Sequence, residues 1–361
     1  MRQGLSKTVD KLLGIELLRF ICSLSVLIWH YQHFFYVKNI APLITSNQPF
    51  YALLSVFYTQ GSHGVETFWC ISGFIFFYKY KDALVKKNID GQTFFILRFS
   101  RLYPLHILTC VLVGLLQVLY THIFKSSFVY SPNDWSHFLC HVGMISRTAR
   151  TFNGPIWSVL VEVLVYALFF MLLTYIKKPL WTTLCTPILV VFILCMGIHH
   201  PILSCICYFY IGGIIYLFQK FLATKNIAFI GRIVAWIVFL TSILFFSVYP
   251  SIWTHYFFYI YVPLLVFCIS VPTQILSIVA TPITTFGNLT YSIYLWHFPI
   301  QLSLMIGYSL LNLTMPRYHP LFFLMFIGLT LCIAFISYRY IEIPCQTKLR
   351  KKFLTPSTSS V

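Results

Sequence analysis

The first apolar stretch of the sequence contains ionisable residues that lipid does not tolerate without a reason. Arg19 and His30 are eleven residues apart, so on a helix they share a face, about 16 Å apart along the axis. A neutral imidazole can take a proton from a hydroxyl, and a guanidinium can bind an anion. An ionised side chain within lipid costs roughly 2.5–3.5 kcal/mol, so each needs a partner, a water-filled cavity or a function. This face is therefore a candidate catalytic surface. The alternative is that the Arg19 side chain extends to the membrane surface and that His30 is a core histidine bonded to a neighbouring helix.

A second candidate site is the pair Arg98 and Arg101 in a basic stretch before Pro104. Residues three apart on a helical turn face one side, and forked guanidinium donors suit phosphate oxygens. The alternative is that both arginines are ordinary cytoplasmic cations that contact lipid headgroups. Pro104 is predicted to open the next membrane span.

Two further helical stripes are polar in otherwise apolar surroundings. Ser158, Glu162 and Tyr166 are spaced by four residues, which places them on one helix face. A carboxylate there needs a partner, and we expect an Arg or His from another span. A similar stripe in a later span consists of Tyr294, His297 and Gln301.

Glu66 lies near the outer end of another apolar stretch. We expect its carboxylate to meet water or a cavity there. The small residues Ser72 and Gly73 that follow allow another helix, or a ligand, to approach the backbone closely. Near the end of the chain, Arg339 and Glu342 have the i, i+3 spacing of a structural ion pair.

The composition identifies the elements that must position these residues. Of 361 residues, 59% are hydrophobic and only 9% are charged, whereas soluble domains carry about 25% charged residues. The apolar residues form runs of about 20, the length of a helix that crosses a membrane. The sequence therefore predicts an all-α, polytopic membrane helical bundle.

Neither the charge nor the cysteines point to other classes of function. The net charge is +17, but the basic residues sit at helix ends rather than on one surface, so no nucleic-acid partner is expected. The eleven cysteines fall mostly within apolar runs and form no CxxC pair. We expect no disulfide framework and no metal.

Ten spans are predicted, and the distribution of Lys and Arg supports that count. Twenty of the 25 basic residues fall on one side of the membrane and five on the other, so the positive-inside rule places both termini in the cytoplasm. Because Glu16, Arg19 and His30 interrupt the first stretch, we expect a retained helix rather than a signal peptide. The predicted spans are 14–36, 60–79, 102–122, 156–176, 180–198, 201–219, 232–249, 254–272, 288–311 and 320–342.

The predicted organisation is one membrane domain between two short termini. Residues 1–13 form a cytoplasmic segment, residues 14–344 the membrane domain, and residues 345–361 a cytoplasmic tail that is polar and predicted to be disordered. The long outer loops are 37–59 and 123–155. Within the second, the stretch from Trp135 to Ile145 is too short to span and is expected to be interfacial or re-entrant.

Six motifs in this order resemble the acyltransferase-3 family of integral membrane acyltransferases, which modify cell-surface glycans and other acceptors. They cover the chain from residue 14 to residue 344. The matching pieces are Leu18-Arg19 with His30, Gly64-Val-Glu66-Thr-Phe-Trp-Cys-Ile-Ser72-Gly73-Phe74, Arg98-Phe-Ser-Arg101-Leu-Tyr103-Pro104, Trp157-Ser-Val-Leu-Val-Glu162-Val-Leu-Val-Tyr166, Tyr291-Ser-Ile-Tyr294-Leu-Trp-His297-Phe-Pro299 and Glu342-Ile-Pro344.

The resemblance implies that an acyl group, usually acetyl, moves from a cytoplasmic coenzyme A thioester to a hydroxyl of the acceptor. It implies that His30 is the central catalytic residue and that Arg19, Arg98 and Arg101 are functional arginines. Glu66 departs from the family, which commonly has Asp at this position. Some relatives carry a fused extracytoplasmic domain; none is expected here, so transfer would occur at the membrane domain itself.

Each candidate residue is thereby given a predicted role. The catalytic group is predicted to be His30, Arg19, Glu66 and Glu162. The donor is predicted to contact Arg98, Arg101, Tyr103 and Ser72. The acceptor is predicted to contact Trp157, Tyr166, Tyr294 and His297. His30 would act as a base oriented by Glu66 or Glu162, and an acyl-imidazole relay fits the same residues.

The predicted function is a membrane O-acetyltransferase of the cytoplasmic (inner) membrane. Its expected partners are acetyl-CoA, a surface glycan or lipid-linked glycan acceptor of the O-antigen type, and membrane lipids. One alternative is a secondary transporter or flippase, which predicts broken helices and internal symmetry; neither is visible in the sequence. Another is a haem protein, but His30, His106 and His297 lie at different expected depths.

Overall fold

The computed structural model describes residues 8–36, 40–41, 46–145, 152–248, 253–271 and 273–354. The outermost parts of the predicted termini, residues 1–7 and 355–361, lie outside these ranges. So do three of the five basic residues predicted on the outer side, Lys38, Arg147 and Arg150.

Almost all of the described chain is helical, as the apolar runs predict. Apolar side chains on every face leave the helix as the simplest way to satisfy the backbone within lipid. The α-helices of the described residues are α1 (Leu13–His30), α2 (Tyr51–Gln60), α3 (Gly64–Val85), α4 (Gly91–Phe124), α5 (Trp135–Val142), α6 (Trp157–Met171), α7 (Pro179–Cys195), α8 (Pro201–Thr224), α9 (Ala228–Val248), α10 (Trp253–Ile269), α11 (Ser277–Leu310), α12 (Pro320–Ser337) and α13 (Ile343–Phe353).

Each of the ten predicted spans falls on one of these helices, with edges that differ by up to 11 residues. In the described residues, five helical segments are long and apolar enough to cross a membrane: Leu13–Phe35, Gly91–Phe124, Gly154–Ile176, Pro201–Thr224 and Pro320–Phe353. Shorter apolar helices lie at Pro179–Cys195, Ala228–Leu244 and Ile260–Ile269. The chain is therefore a multi-pass helical membrane protein.

At two places the chain is helical where the sequence predicts otherwise, at a proline and in the polar C-terminal segment. Pro104 does not begin a helix; it lies inside α4, which begins at Gly91 and has 34 residues, about 51 Å in length. A proline removes one ladder hydrogen bond, which a helix of this length tolerates in a packed membrane protein. The predicted disordered tail is helical over Ile343–Phe353.

A short two-stranded sheet is the exception to the all-helical pattern. Strand β1 (Thr8–Lys11) precedes α1, and strand β2 (Thr273–Leu276) precedes α11. They pair antiparallel, with Thr8 opposite Leu276 and Lys11 opposite Thr273. No local pattern signals this pairing, because its two halves are more than 260 residues apart.

The chain forms two compact units, to which α1, α6 and α11 each contribute residues. The first unit consists of Met1–Cys22, His63–Gly91 and Val161–Asn288, and the second of Ser23–Ser62, Gln92–Leu160 and Leu289–Val361. The predicted catalytic, donor and acceptor groups each have members in both units.

In the first unit, α3 and α8 cross at glycines. A Cβ at Gly73 would overlap the carbonyl of Phe209, and one at Gly212 would overlap the carbonyl of Cys70. Each helix thus supplies a glycine where the other helix's backbone passes. The predicted close approach at Gly73 is confirmed, and its partner is a helix.

In the second unit, aromatic and aliphatic side chains from α4, α11 and the segment before α6 form a buried cluster. It includes Val113, Phe128, Tyr130, Phe152 and Phe298. A Cβ at Gly154 would overlap the ring of Tyr130, so a glycine is required where that ring lies against the chain. The rings of Tyr130 and Phe298 also pack edge-on to that of His33, with centroids 5.6 and 5.9 Å away.

Candidate functional site

His30 is the last residue of α1 and is buried. Its Nδ1 lies 2.9 Å from the carbonyl oxygen of Val26, one turn earlier on the same helix. A carbonyl only accepts, so Nδ1 carries the hydrogen, and in the neutral ring the lone pair is on Nε2. The local helix geometry therefore sets which nitrogen of His30 can act as a base.

His33 lies next to His30 in the 3-10 turn Tyr31–Phe35 that extends α1. The ring centroids of His30 and His33 are 4.7 Å apart. Gln301 of α11 connects the two residues, because its Nε2 donates to the His30 carbonyl over 2.8 Å. Its Oε1 lies 3.1 Å from His33 Nδ1. The amide thus fixes the backbone at the end of α1.

The orientation of Gln301 also fixes the protonation of His33. Since Nε2 of Gln301 faces a carbonyl, Oε1 must be the atom that faces His33, and Nδ1 of His33 must donate. Nε2 of His33 is then an acceptor, and the hydroxyl of Tyr130 lies 3.4 Å from it. In the neutral form of each of these histidines, the lone pair is on Nε2.

His297 lies on the other side of His30, also on α11. Their ring centroids are 4.6 Å apart with an interplanar angle of 33°. Nδ1 of His297 lies 3.3 Å from the carbonyl oxygen of Ile293, whereas its buried Nε2 has no hydrogen-bond partner among the described residues. An unpaired polar atom in a buried position is costly and needs an explanation.

Two other residues of this unit, Tyr294 and Trp157, are predicted to contact the acceptor substrate. Tyr294 lies near His297, and Trp157 lies beside residues that Tyr294 contacts. The Tyr294 ring is 6.0 Å from that of His297. The Tyr294 hydroxyl donates to the carbonyl of Pro155 over 2.6 Å and lies 2.7 Å from the Ser158 hydroxyl. Trp157 is the first residue of α6, between Pro155 and Ser158. Tyr294 therefore ties the start of α6 to α11.

The predicted donor-binding arginines lie one turn apart within α4 rather than in a loop before it. Arg98, Arg101 and Tyr103 are all half-buried. The ring of Tyr103 stacks on that of Phe99 with centroids 4.4 Å apart. The Tyr291 hydroxyl donates to the Leu102 carbonyl over 2.7 Å, which holds this part of α4 against α11.

The predicted ion pair between Arg339 and Glu342 is wrong for the described residues, in which no ion pair joins them. Glu342 is buried in the π-helical turn Tyr338–Glu342 that follows α12. It accepts a hydrogen bond from Ser292 of α11. The charge of Arg101 also acts on this carboxylate. The partner of the buried Glu342 carboxylate is thus a hydroxyl group of another helix, which the i, i+3 spacing in the sequence could not indicate.

The remaining predicted site residues belong to the first unit, where each ionisable one has a local partner. Arg19 donates to Glu16 over 2.8 Å. Glu66 lies 3.4 Å from Nδ1 of His63 at the start of α3. Ser72, on the same helix, is half-buried.

Glu162 lies in the first unit as well, and the predicted stripe on α6 provides its partner. Tyr166, one turn later, donates to it over 2.6 Å. One partner of this carboxylate is thus a hydroxyl on the same helix. The Tyr166 ring stacks on that of Phe76 of α3, with centroids 4.1 Å apart. This contact holds in place the Tyr166 hydroxyl that donates to Glu162.

Within the second unit, the structure brings His30 and His297 together, with Tyr294 next to His297. It also places His33 and Tyr130 here, which the sequence does not single out, and Gln301, which the sequence shows only as part of a polar stripe. The i, i+3 spacing of His30 and His33 was a usable signal. Nothing in the sequence indicated Tyr130, which lies 97 residues from His33.

No group of three or more His, Cys, Asp or Glu side chains in the described residues could hold a metal ion. The ring of His30 lies 4.7 Å from that of His33 and 4.6 Å from that of His297, between centroids. Their neutral forms offer a base and hydrogen-bonding groups to a reacting hydroxyl.

A multi-pass helical bundle with a buried histidine cluster defines a membrane protein that can carry out acid–base chemistry. A family model described as an acyltransferase domain, acyltransferase-3, matches residues 12–339. The chain belongs to this family and is a membrane acyltransferase. A search of curated proteins gave no match, and a search of solved structures gave none either.

Proposed function

We propose that the protein is a membrane O-acetyltransferase that moves an acetyl group from cytoplasmic acetyl-CoA to a hydroxyl of a bacterial surface polysaccharide or its lipid-linked precursor. We place it in the cytoplasmic membrane, where it would meet both a cytosolic donor and a glycan acceptor. The observation that carries the proposal is the buried His30, whose Nδ1 is committed to the Val26 carbonyl.

His30 is suited to act as the general base. Nε2 takes the proton of the acceptor hydroxyl as the oxygen forms a bond to the thioester carbonyl carbon. The carbon–sulfur bond then breaks, and the thiolate of coenzyme A receives the proton from the imidazolium. Nδ1 keeps its hydrogen throughout, as the Val26 carbonyl requires.

A relay through His30 is the variant of this mechanism. Nε2 would attack the carbonyl carbon of the thioester, the carbon–sulfur bond would break and coenzyme A would leave as the thiolate. The acetyl-imidazolium would then pass its acetyl group to the acceptor hydroxyl, whose proton goes to the thiolate. The same nitrogen serves both routes, since it carries the lone pair in each.

Arg98 and Arg101 are proposed to hold the phosphate groups of the donor. Both lie in the part of α4 that precedes Pro104, a turn apart, and planar guanidinium groups bind phosphate oxygens in pairs. Tyr103 and Ser72 are proposed to contact the donor as well. Arg19, Glu66 and Glu162 remain proposed members of the catalytic group.

The acceptor is proposed to lie against aromatic and hydroxyl side chains. Trp157, Tyr166, Tyr294 and His297 are the candidates. Aromatic rings offer an apolar face and a polar tip, which suits a sugar. The buried Nε2 of His297 is a hydrogen-bonding atom that an acceptor hydroxyl would satisfy.

The test is transfer of labelled acetyl groups. Membrane vesicles that contain the full chain are supplied with surface glycan and with acetyl-CoA that is labelled in its acetyl group. The label that appears in the glycan is then measured. His30→Ala is expected to reduce transfer at least about a hundredfold, the size of a general-base contribution. His199→Ala is the matched control, since this histidine is exposed between α7 and α8. Undiminished transfer by His30→Ala would overturn the assignment.

A further inference from the structure

The C-terminal helix α13 reaches back to the arginine pair of α4. Arg350 Nε donates to the Ser100 hydroxyl over 3.4 Å. Arg350 Nη2 donates to the Leu97 carbonyl over 3.5 Å. Ser100 is buried and its own hydroxyl donates to the Leu97 carbonyl. The guanidinium of Arg350 is therefore anchored on the helical turn that carries Arg98 and Arg101.

Arg350 differs from the other cations of its helix. Lys348, Lys351 and Lys352 are exposed, whereas Arg350 is half-buried and contacts α4. A positive-inside residue that only meets lipid headgroups has no need to reach a buried serine. The position of Arg350 is thus specific, whereas the lysines fit a general surface role.

The two helices that meet here contain no acidic residue. Neither α4 nor α13 includes an Asp or Glu. Glu342, just before α13, accepts from Ser292 and lies within the electrostatic reach of Arg101. Three guanidinium groups around one turn favour a ligand with several negative charges.

We propose that Arg350 is a third arginine of the donor site and binds a phosphate group of the nucleotide thioester; this rests on the proposed function. Coenzyme A carries a pyrophosphate and a separate 3′-phosphate, so its charge is spread over two positions. One turn of α4 presents two guanidinium groups on one side, and Arg350 adds a third from a different helix. The C-terminal helix is thereby part of the binding site.

The experiment measures binding of coenzyme A and dephospho-coenzyme A by calorimetry to the full chain in lipid nanodiscs. The variants are Arg350→Ala, Arg350→Lys and the matched control Lys351→Ala on the same helix. We expect Arg350→Ala to weaken coenzyme A binding at least about tenfold, as loss of a charge-assisted hydrogen bond does. Lys351→Ala should stay within about twofold. Arg350→Lys should be intermediate, because it keeps the charge and loses the fork.

Lipid phosphates have the same chemistry as the donor's phosphates, so nanodiscs with and without anionic lipid form a second arm. Equal effects of Arg350→Ala and Lys351→Ala, present only with anionic lipid, would assign Arg350 to headgroups and overturn the inference. So would unchanged coenzyme A affinity in Arg350→Ala with a lower melting temperature, which would indicate a packing role. Wild-type protein that binds no coenzyme A would instead overturn the proposed function.

Discussion

Three neighbouring imidazoles, those of His30, His33 and His297, show how local acceptors select a tautomer. In each ring Nδ1 faces an oxygen that can only accept, supplied by the Val26 carbonyl, the Gln301 amide or the Ile293 carbonyl. The neutral form of each therefore has its lone pair on Nε2. Two of the three acceptors are carbonyls one turn earlier on the same helix, so the helix itself orients the rings.

Gln301 is the positioning residue of this cluster, and its substitution tests that role. Gln301→Leu removes the side-chain donor to the His30 carbonyl and the acceptor that faces His33 Nδ1. The loss of a buried hydrogen bond costs about 1 kcal/mol. We expect a lower melting temperature and a turnover number reduced by about tenfold or more, with the KM for acetyl-CoA little changed, measured by steady-state acetyl transfer.

Gln219→Leu is the matched control. Gln219 is a glutamine of the first unit that donates to the Phe267 carbonyl and to Ser270. Its loss should lower the melting temperature without a specific effect on turnover. If turnover falls only in proportion to stability in both Gln301→Leu and Gln219→Leu, the Gln301 amide contributes to stability alone and does not position the histidines for catalysis.

At the scale of elements, close contacts between helices depend on glycines, which have no side chain. At the crossing of α3 and α8, a methyl group at Gly73 would overlap the backbone of Phe209. Backbone cannot move aside as a flexible side chain can, so the helices must separate. Gly73→Ala is expected to destabilise the protein by about 1–3 kcal/mol, the usual cost of overpacking.

The control for this substitution comes from the same chain. Gly328 lies within α12, and a Cβ there meets nothing within 4 Å. Gly328→Ala should be neutral or stabilising by up to about 1 kcal/mol, since alanine is the better helix former. Thermal unfolding in detergent by intrinsic fluorescence measures both. Equal melting temperatures for the two variants would contradict the packing argument.

The short helix α5 illustrates a different dependence, on pH. Its N-terminus is capped by Asp134, whose pKa is held well below its usual range by hydrogen bonds from His137. Burial, with smaller effects of His106 and His137, lowers the pKa of His141 from 6.5 to about 4. The carbonyl of His141 accepts from His106 Nε2 over 2.7 Å, which holds α5 against α4.

Acid is therefore expected to destabilise the packing of α5. The unfolded chain binds a proton to His141 at a higher pH than the folded chain does, so stability falls as pH drops from about 6.5 to about 4. The loss is on the order of 3 kcal/mol at about 1.4 kcal/mol per pKa unit. We expect the melting temperature of His141→Phe to depend less on pH in this interval than that of the wild type. Parallel pH profiles for the two proteins would contradict this.

At the scale of the whole molecule, the sequence predicts the helices but not the contacts between them. The reason is that a helix depends on neighbouring residues, whereas a contact joins distant ones. A run of about 20 apolar residues determines its own helical state in lipid, so each predicted span falls on a helix. Contacts join residues far apart, such as Gln301 with His30 or Arg350 with Ser100. Local spacing indicated that Glu162 and Glu342 needed partners, but not that hydroxyl groups would supply them.

The arrangement of the chain across the membrane is a prediction from charge. Twenty basic residues on one predicted side against five on the other favour ten crossings with both termini in the cytoplasm. The proposed function requires this, because Arg98, Arg101 and Arg350 must face cytosolic coenzyme A. An odd number of crossings would place the two termini on opposite sides of the membrane.

Reporter fusions test whether the number of crossings is even or odd. Alkaline phosphatase, which is active only outside the cytoplasm, should be active when inserted in the loop between α4 and α5, at Ser126. It should be inactive after Lys87, between α3 and α4, and when fused to either terminus. A phosphatase that is active at one terminus and inactive at the other would require an odd number of crossings. Because lysine and arginine set the orientation, activity at both termini would mean an inverted chain, and the arginines could not meet their donor.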